Sequence, residues 1–149
     1  MAEEQSVRLT GNQLAQLANQ ERQKLAGINQ RIESYQSFRN ELMGAKEALK
    51  ELSNTQKGGK ILVNLGAGVF IEANATENKK AISAMAGSIF REKTSENLIR
   101  DIDKKIAGMD KNIADVAEQQ QKTISRVNQL DQIMSAGMQQ LRAAKTQKN

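Results

Sequence analysis

The stretch LVNLGAGVFIEANA, residues 62–75, decides the fold because it interrupts a chain that otherwise follows a helical pattern. Val, Ile and Phe on both sides of Gly66-Ala67-Gly68 favour two β-strands joined by a tight turn. The segments AISAM and SIFREK flank Ala86-Gly87 in the same way, and AGVFIE resembles AGSIFRE nineteen positions later. We therefore predict two β-hairpins in tandem.

The residues after the hairpins predict a long coiled-coil helix. Apolar positions recur in steps of three and four that average 3.5, which is the coiled-coil period. Thr94 or Ser95 is suited to cap the first turn, and Glu96 is favourable against the helix dipole. The expected seam is Ile99, Ile102, Ile106, Met109, Ile113, Val116, Gln120, Thr123, Val127, Leu130, Met134, Gly137 and Leu141.

The residues before the hairpins carry a looser version of the same pattern, with slippage near Leu25. The glycines of NTQKGGK favour leaving the helix after Leu52. Arms of similar length favour an antiparallel pair with Leu52 near Ile99, although a parallel dimer of separate helices remains an alternative. The expected seam is Leu14, Leu17, Glu21, Leu25, Ile28, Ile32, Tyr35, Phe38, Leu42, Ala45, Leu49 and Leu52.

The predicted fold is thus mainly α, a long antiparallel coiled-coil hairpin with two small β-hairpins between its helices. We expect the N-terminal helix at residues 6–56, the β-hairpins at 57–93 and the C-terminal helix at 94–145. Proline is absent and aromatic residues make up 3% of the chain, which suits exposed helices sharing a narrow seam better than a closed core.

Composition excludes several classes of function. The chain has neither cysteine nor histidine, so we expect no disulfide, no metal site and no cofactor, and we do not expect an enzyme. GAG and KGGK lack the phosphate-loop spacing. The net charge of +5 is dispersed, which argues against nucleic-acid binding. No apolar run is long enough for a membrane span or signal peptide, so we expect a cytoplasmic protein.

The hairpins are predicted to join this chain to others. Four short strands bury little by themselves, and strand edges rich in Val, Ile and Phe invite pairing with another chain. A self-contained cap on a monomer is the alternative. The residues expected to serve subunit assembly are Ile61, Leu62, Val63, Leu65, Gly66, Gly68, Val69, Phe70, Ile71, Ile82, Met85, Gly87, Ile89 and Phe90.

Together, residues 61–73 and 81–99 resemble the α-class subunit of prefoldin, of the archaeal type. Asn64 stands where that family usually has proline, and Ala86 where it often has the first glycine of the second turn. The residues that carry the resemblance are Leu62, Val63, Leu65, Gly66, Gly68, Phe70, Ile71 and Ala73, followed by Ser83, Gly87, Glu92 and Lys93.

The resemblance implies an ATP-independent holdase, in which two α and four β-type subunits join their hairpins into a double barrel. The coiled-coil tips would bind non-native polypeptides and deliver them to a group II chaperonin. A structural or adaptor coiled coil without chaperone activity is the alternative, and ordinary seam packing is the alternative for each tip residue. The expected client-binding residues are Leu9, Leu14, Leu17, Leu25, Ile124, Ile133, Met134, Met138 and Leu141.

Overall fold

The computed structural model describes residues 9–76 and 80–146 and has two long helices with two antiparallel β-hairpins between them, as predicted. The start expected for the first helix, at residue 6, lies outside the described residues. The chain forms two compact units: a hairpin unit of described residues 36–76 and 80–111, and a terminal unit of described residues 9–35 and 112–146. The elements are α1 (Gly11–Asn54), β1 (Lys60–Gly66), β2 (Val69–Asn74), β3 (Lys80–Ala84), β4 (Phe90–Thr94) and α2 (Ser95–Thr146).

The first hairpin turns through Ala67 and Gly68, which both have positive φ, at 51° and 77°. This backbone matches the right-handed twist of the two strands, and it is the usual two-residue hairpin turn. A register shift between Asn64 and Gly66 precedes the turn. There the Gly66 N–H donates to the Asn64 side-chain oxygen at 2.8 Å, so Asn64 stabilises the irregular end of β1.

The second hairpin repeats the register of the first after twenty residues. Leu62 pairs with Glu72 and Ile82 with Glu92, and the other strand pairs correspond in the same way. The nineteen-residue repeat of the sequence is therefore wrong by one. The two Ala-Gly pairs occupy different turn positions, since Gly87, with φ of 73°, corresponds to Ala67.

Polar side chains and glycines define where the helices end. Thr10 and Gln13 form a reciprocal cap on α1, and the Thr94 hydroxyl accepts from the Asn97 N–H at the start of α2. After α1, the chain is tied to the end of β2 because the Ala75 N–H donates to the Gly59 carbonyl at 2.8 Å. A Cβ on Gly59 would lie 2.7 Å from a Thr55 methyl carbon, so this close approach requires glycine.

Within each unit the two helices run antiparallel. In the hairpin unit, ion pairs join Lys46 to Asp103 and Arg39 to Asp110, each at 2.5 Å. In the terminal unit, Arg22 pairs with Asp131 at 2.6 Å and the Gln120 amide donates to Asn29 at 2.7 Å. The buried side chains of the paired helices are Ala18, Ile28, Leu42, Ser95, Ile102, Val116, Thr123, Val127 and Leu130.

The seam of α2 follows the predicted steps up to Met134, whereas the predicted seam of α1 is partly wrong. Leu17, Phe38 and Leu52 are exposed, and so is Ala45. The observed α1 seam has no slippage, because its steps alternate strictly between four and three. Its positions are Leu14, Ala18, Glu21, Leu25, Ile28, Ile32, Tyr35, Arg39, Leu42, Lys46 and Leu49, and Ala15, which is also half-buried, lies beside the first of them.

Two cations explain the exposure of Phe38 and Ala45 in the hairpin unit. Arg39 and Lys46 occupy seam positions in place of Phe38 and Ala45. Their aliphatic stems lie along the seam while their charged groups reach the aspartates of α2. A prediction that takes the most apolar residue near each seam step therefore selects Phe38 and Ala45, whereas the seam residue is the next one along the chain.

Candidate functional site

The first candidate surface consists of the exposed apolar side chains of the two hairpins. Of the residues predicted to serve assembly, Ile61 is half-buried and the three glycines lie at the turns. All the others are exposed, and ten large apolar side chains in so short a segment exceed the scatter found on ordinary surfaces. They are Leu62, Val63, Leu65, Val69, Phe70, Ile71, Ile82, Met85, Ile89 and Phe90.

The shared register places equivalent side chains on one face of each hairpin. Cross-strand neighbours share a face, so Leu62 and Phe70 lie together in the first hairpin, as Ile82 and Phe90 do in the second. An ion pair flanks each apolar pair, Lys60 with Glu72 at 3.3 Å and Lys80 with Glu92 at 2.7 Å. The hydrogen bond to Glu92 raises the pKa of Lys80.

The opposite faces of the two hairpins differ. In the first hairpin this face is apolar, with Ile61 opposite Ala73 and Val63 opposite Ile71. In the second hairpin it is polar and basic, with Ala81 opposite Lys93 and Ser83 opposite Arg91. Lys93 also forms an ion pair with Asp101 of α2, and this contact lowers the pKa of the carboxyl group. The two hairpins therefore share one apolar face with equivalent side chains, and their opposite faces differ in chemistry.

Each strand has one neighbour, so every hairpin leaves two strand edges with unpaired backbone groups. Edges of this kind, next to exposed apolar side chains, are suited to pairing with strands of another chain. The chemistry of this surface is association through backbone hydrogen bonds and apolar contact.

The second candidate surface lies in the terminal unit, where the helices lose their shared core. On α1 no residue before Leu14 is even half-buried, and on α2 every residue from 135 to 146 is exposed. Gly137 occupies the seam step that follows Met134, the last half-buried residue of α2, and offers no side chain for packing there. The ends of both helices are therefore accessible to other molecules.

The predicted client-binding residues divide into two groups. Leu9, Leu17, Ile133, Met138 and Leu141 are exposed, with Leu141 at 66%. Leu14, Leu25, Ile124 and Met134 are half-buried. Ile124, Ile133 and Met138 lie off the seam steps, and this offset coincides with exposure for Ile133 and Met138 but not for Ile124, which is half-buried. Exposed unbranched methionine adapts its shape to many apolar partners.

The sequence pattern placed Glu21 on the seam but did not predict that one of its carboxylate oxygens would be buried without a hydrogen bond. The Glu21 side chain is only 15% exposed, and its Oε2 atom is buried without a hydrogen bond. The other oxygen lies 3.6 Å from an Arg126 nitrogen. Burying a polar atom without a hydrogen bond is unfavourable. Because Glu21 lies between apolar layers of the seam, we expect it to weaken the pairing of the two helices in the terminal unit.

None of the helices in the described part of the chain is long and apolar enough to cross a membrane.

Comparison with known proteins gives one consistent result. The family model described as Prefoldin, prefoldin subunit, matches residues 22–140. A protein from Methanococcus aeolicus named prefoldin subunit alpha is 29% identical over 112 residues, covering 68% of this chain and 76% of the relative. A protein of the same name from Methanocorpusculum labreanum is 27% identical over 131 residues, covering 88% of this chain and 86% of the relative.

A solved structure shows the same fold. A chain from the cryo-EM structure of filamentous PFD from Methanocaldococcus jannaschii superposes with a TM-score of 0.63, covering 80% of this chain and 96% of that chain. The sequence identity of 16% limits this comparison to the fold.

Proposed function

The chain belongs to the prefoldin family, and on that premise we propose that it is the alpha-type subunit of an ATP-independent holdase. Family membership implies a chaperone subunit that assembles with other prefoldin subunits. The finer proposal is that its helix ends bind non-native polypeptides and that its hairpins hold the assembly together. Its role is binding, without catalysis, cofactor or nucleotide.

The proposed assembly contains two copies of this chain and four β-type subunits. Support comes from the ten exposed apolar side chains and the unpaired strand edges of the hairpins. Burying apolar surface contributes about 25 cal/mol for each Å² removed from water, so a partner that covers these side chains gains a large driving force. Association through the hairpins leaves the helix ends for clients.

The observation that carries the holdase proposal is the exposed end of α2 with its apolar side chains. Residues 135–146 make no seam, yet they include Met138 and Leu141, and Ile133 is exposed just before them. A helix end that only capped a rod would gain solubility from polar residues at these positions. Flexible apolar side chains instead suit many unrelated sequences.

We further propose that the assembly works in the cytoplasm and passes its clients to a group II chaperonin. This step follows from the resemblance to prefoldin. The test compares two rates: the transfer of client from the assembly to an added chaperonin, and the capture of free client by the same chaperonin. The proposal predicts that the first is faster.

The experiment starts from the complete assembly, produced by co-expression with a β-type subunit and weighed by native mass spectrometry. Suppression of client aggregation is then measured without ATP. Replacing Ile133, Met138 and Leu141 with Ser should abolish most of the suppression. The matched control replaces Phe38, Met43 and Leu52, which are also exposed and apolar but lie in the hairpin unit, and it should retain suppression.

Three outcomes would contradict parts of the proposal. Full suppression by an intact assembly of the Ile133, Met138 and Leu141 variant would exclude the helix end as the client site. Assembly through the hairpins with no suppression by the unmodified protein would indicate a structural or adaptor coiled coil instead. A monomer or a filament in the presence of the β-type subunit would contradict the proposed composition.

A further inference from the structure

We propose that the exposed end of α2 selects non-native segments that combine apolar and acidic residues, so that this chain gives its assembly a charge preference among clients. The inference rests on the proposed function and specifies the substrate class of the same site. It follows from the position of two cations among the exposed apolar side chains.

The cations share a helix face with the apolar residues. At 3.6 residues per turn, Met138, Leu141, Arg142 and Lys145 fall within an arc of about 100°. All four side chains are exposed. A segment lying along this face would contact apolar groups and positive charge at once.

The described residues of the two helix ends carry charge of one sign only. Residues 9–20 contain no charged side chain, and residues 132–146 contain two, Arg142 and Lys145. When the residues outside the described part are included, stretches 1–20 and 132–149 carry four basic and two acidic side chains. The summed excess is therefore positive and comes from residues 132–149, since residues 1–20 carry one basic and two acidic side chains.

The two cations also differ from three basic residues on the paired part of the terminal unit, although among the described residues Lys24 and Arg31 of that part form no ion pair either. There, Arg22 forms an ion pair with Asp131, Arg126 lies near Glu21, and Lys122 pairs with Glu118. Among the described residues, neither Arg142 nor Lys145 has an ion-pair partner. A client carboxylate can bind them without displacing an internal contact.

A purely structural role for these charges is the competing explanation. Lys145 lies in the last turn of α2, where a cation is favourable against the helix dipole. That role would stabilise the helix end equally for every client. A preference among clients of different charge therefore separates the two explanations.

The test uses the complete assembly and three fluorescein-labelled 20-residue peptides. The peptides share all Leu, Ile and Phe positions and differ only at four sites, which are Glu, Gln or Lys. Fluorescence anisotropy gives Kd at 0.05 M and 1 M NaCl. Since exposed ion contacts are individually weak, the Glu peptide should bind about 3–10-fold more tightly than the Gln peptide at low salt. The difference should vanish at 1 M NaCl, where the screening length falls to ~3 Å.

Variants in the same assembly assign the preference to this chain. Replacing Arg142 and Lys145 with Gln should remove the Glu-over-Gln preference and leave the Kd of the Gln peptide unchanged. The charge-retaining exchange Arg142→Lys with Lys145→Arg should keep the preference. The matched control Lys50→Gln with Lys111→Gln removes two exposed lysines from the hairpin unit and should also keep it.

The failures are distinguishable. Equal binding of the Glu and Gln peptides, or a preference that persists after Arg142 and Lys145 are neutralised, overturns the charge selection and leaves the holdase proposal standing. Absence of binding of all three peptides to the unmodified assembly overturns both.

Discussion

Replacing Glu21 with Leu should stabilise the paired helices of the terminal unit. The Glu21 side chain is 15% exposed and faces the seam of α2, whose nearby layers contain Thr123, Val127 and Leu130. One carboxylate oxygen is buried without a hydrogen bond, and the other has a long contact with the largely exposed Arg126. Leucine is the residue that a coiled-coil seam favours at such a position.

Three contributions determine the size of the effect. Removing the unsatisfied oxygen of Glu21 relieves a penalty of about 1–3 kcal/mol. Burying the leucine adds about 1 kcal/mol beyond what the glutamate stem already provides. Losing the exposed contact with Arg126 costs between about 0 and 1 kcal/mol. The net expectation is about 2 kcal/mol in favour of the closed helix pair.

Native-state hydrogen exchange, read by mass spectrometry on the complete assembly, measures this change directly. A stabilisation of about 2 kcal/mol slows the exchange of amides protected by local opening about 30-fold. The slowing should be confined to peptides from residues 11–35 and 112–134. The control Glu33→Leu changes an exposed glutamate of the same helix, and its exchange should stay within about 2-fold of the unmodified protein. Unchanged or faster exchange in the Glu21→Leu protein, or equal slowing in the control, would refute the reasoning.

Three further changes test the hairpin unit. Ala67→Asn should raise stability by about 0.5–1 kcal/mol in thermal unfolding, because Asn tolerates positive φ better, and a lower Tm would contradict this. Asn64→Ala should cost about 1 kcal/mol in the same assay through loss of the bond to Gly66, and no loss would exclude that role. Lys93→Gln should raise the pKa of Asp101 in an NMR titration. Lys93 lowers the pKa of Asp101 in the folded protein, so the ion pair stabilises the fold above the ordinary carboxyl pKa. This stabilisation is lost as the pH falls through the pKa of Asp101 in the folded protein. An unchanged pKa in the Lys93→Gln protein would contradict the pairing.

The sequence was sufficient for the architecture and for the seam of α2 as far as Met134, whereas the seam steps predicted at Gly137 and Leu141 are wrong because both residues are exposed. Isoleucine and valine recur at the three- and four-residue steps of α2, so the helix face is set by residues that have few other favourable positions. In α1 the apolar residues Phe38 and Ala45 lie beside the seam, and a cation takes the seam position next to each of them. Arg39 is half-buried and forms an ion pair with Asp110 of the other helix, and no single-helix pattern contains that information.

The turn geometry had a similar limit. Glycines mark both turns, but their positions in the sequence do not determine which turn residues have positive φ. Ala67 takes one of these positions, and the matching position of the second hairpin is Gly87. Aligning the two Ala-Gly pairs therefore shifted the repeat by one residue, and only the strand register corrected it.

The candidate site was accessible to sequence reasoning in outline. Ile133 and Met138 depart from the seam steps, and both are exposed. How far the helix pair extends depends on how both helices pack at once, so the sequence did not establish that the shared core ends near Met134. The role of these residues in binding stays a prediction.

Site-specific photo-cross-linking tests the central claim most directly. Benzoylphenylalanine replaces either Met138 in the terminal unit or Phe38 in the hairpin unit, both exposed, and each complete assembly is irradiated with an unfolded client in the absence of ATP. Cross-links to the client from position 138, with few or none from position 38, are the predicted result. Equal cross-linking from both positions, or client captured from position 38 alone, would contradict client binding at the helix ends.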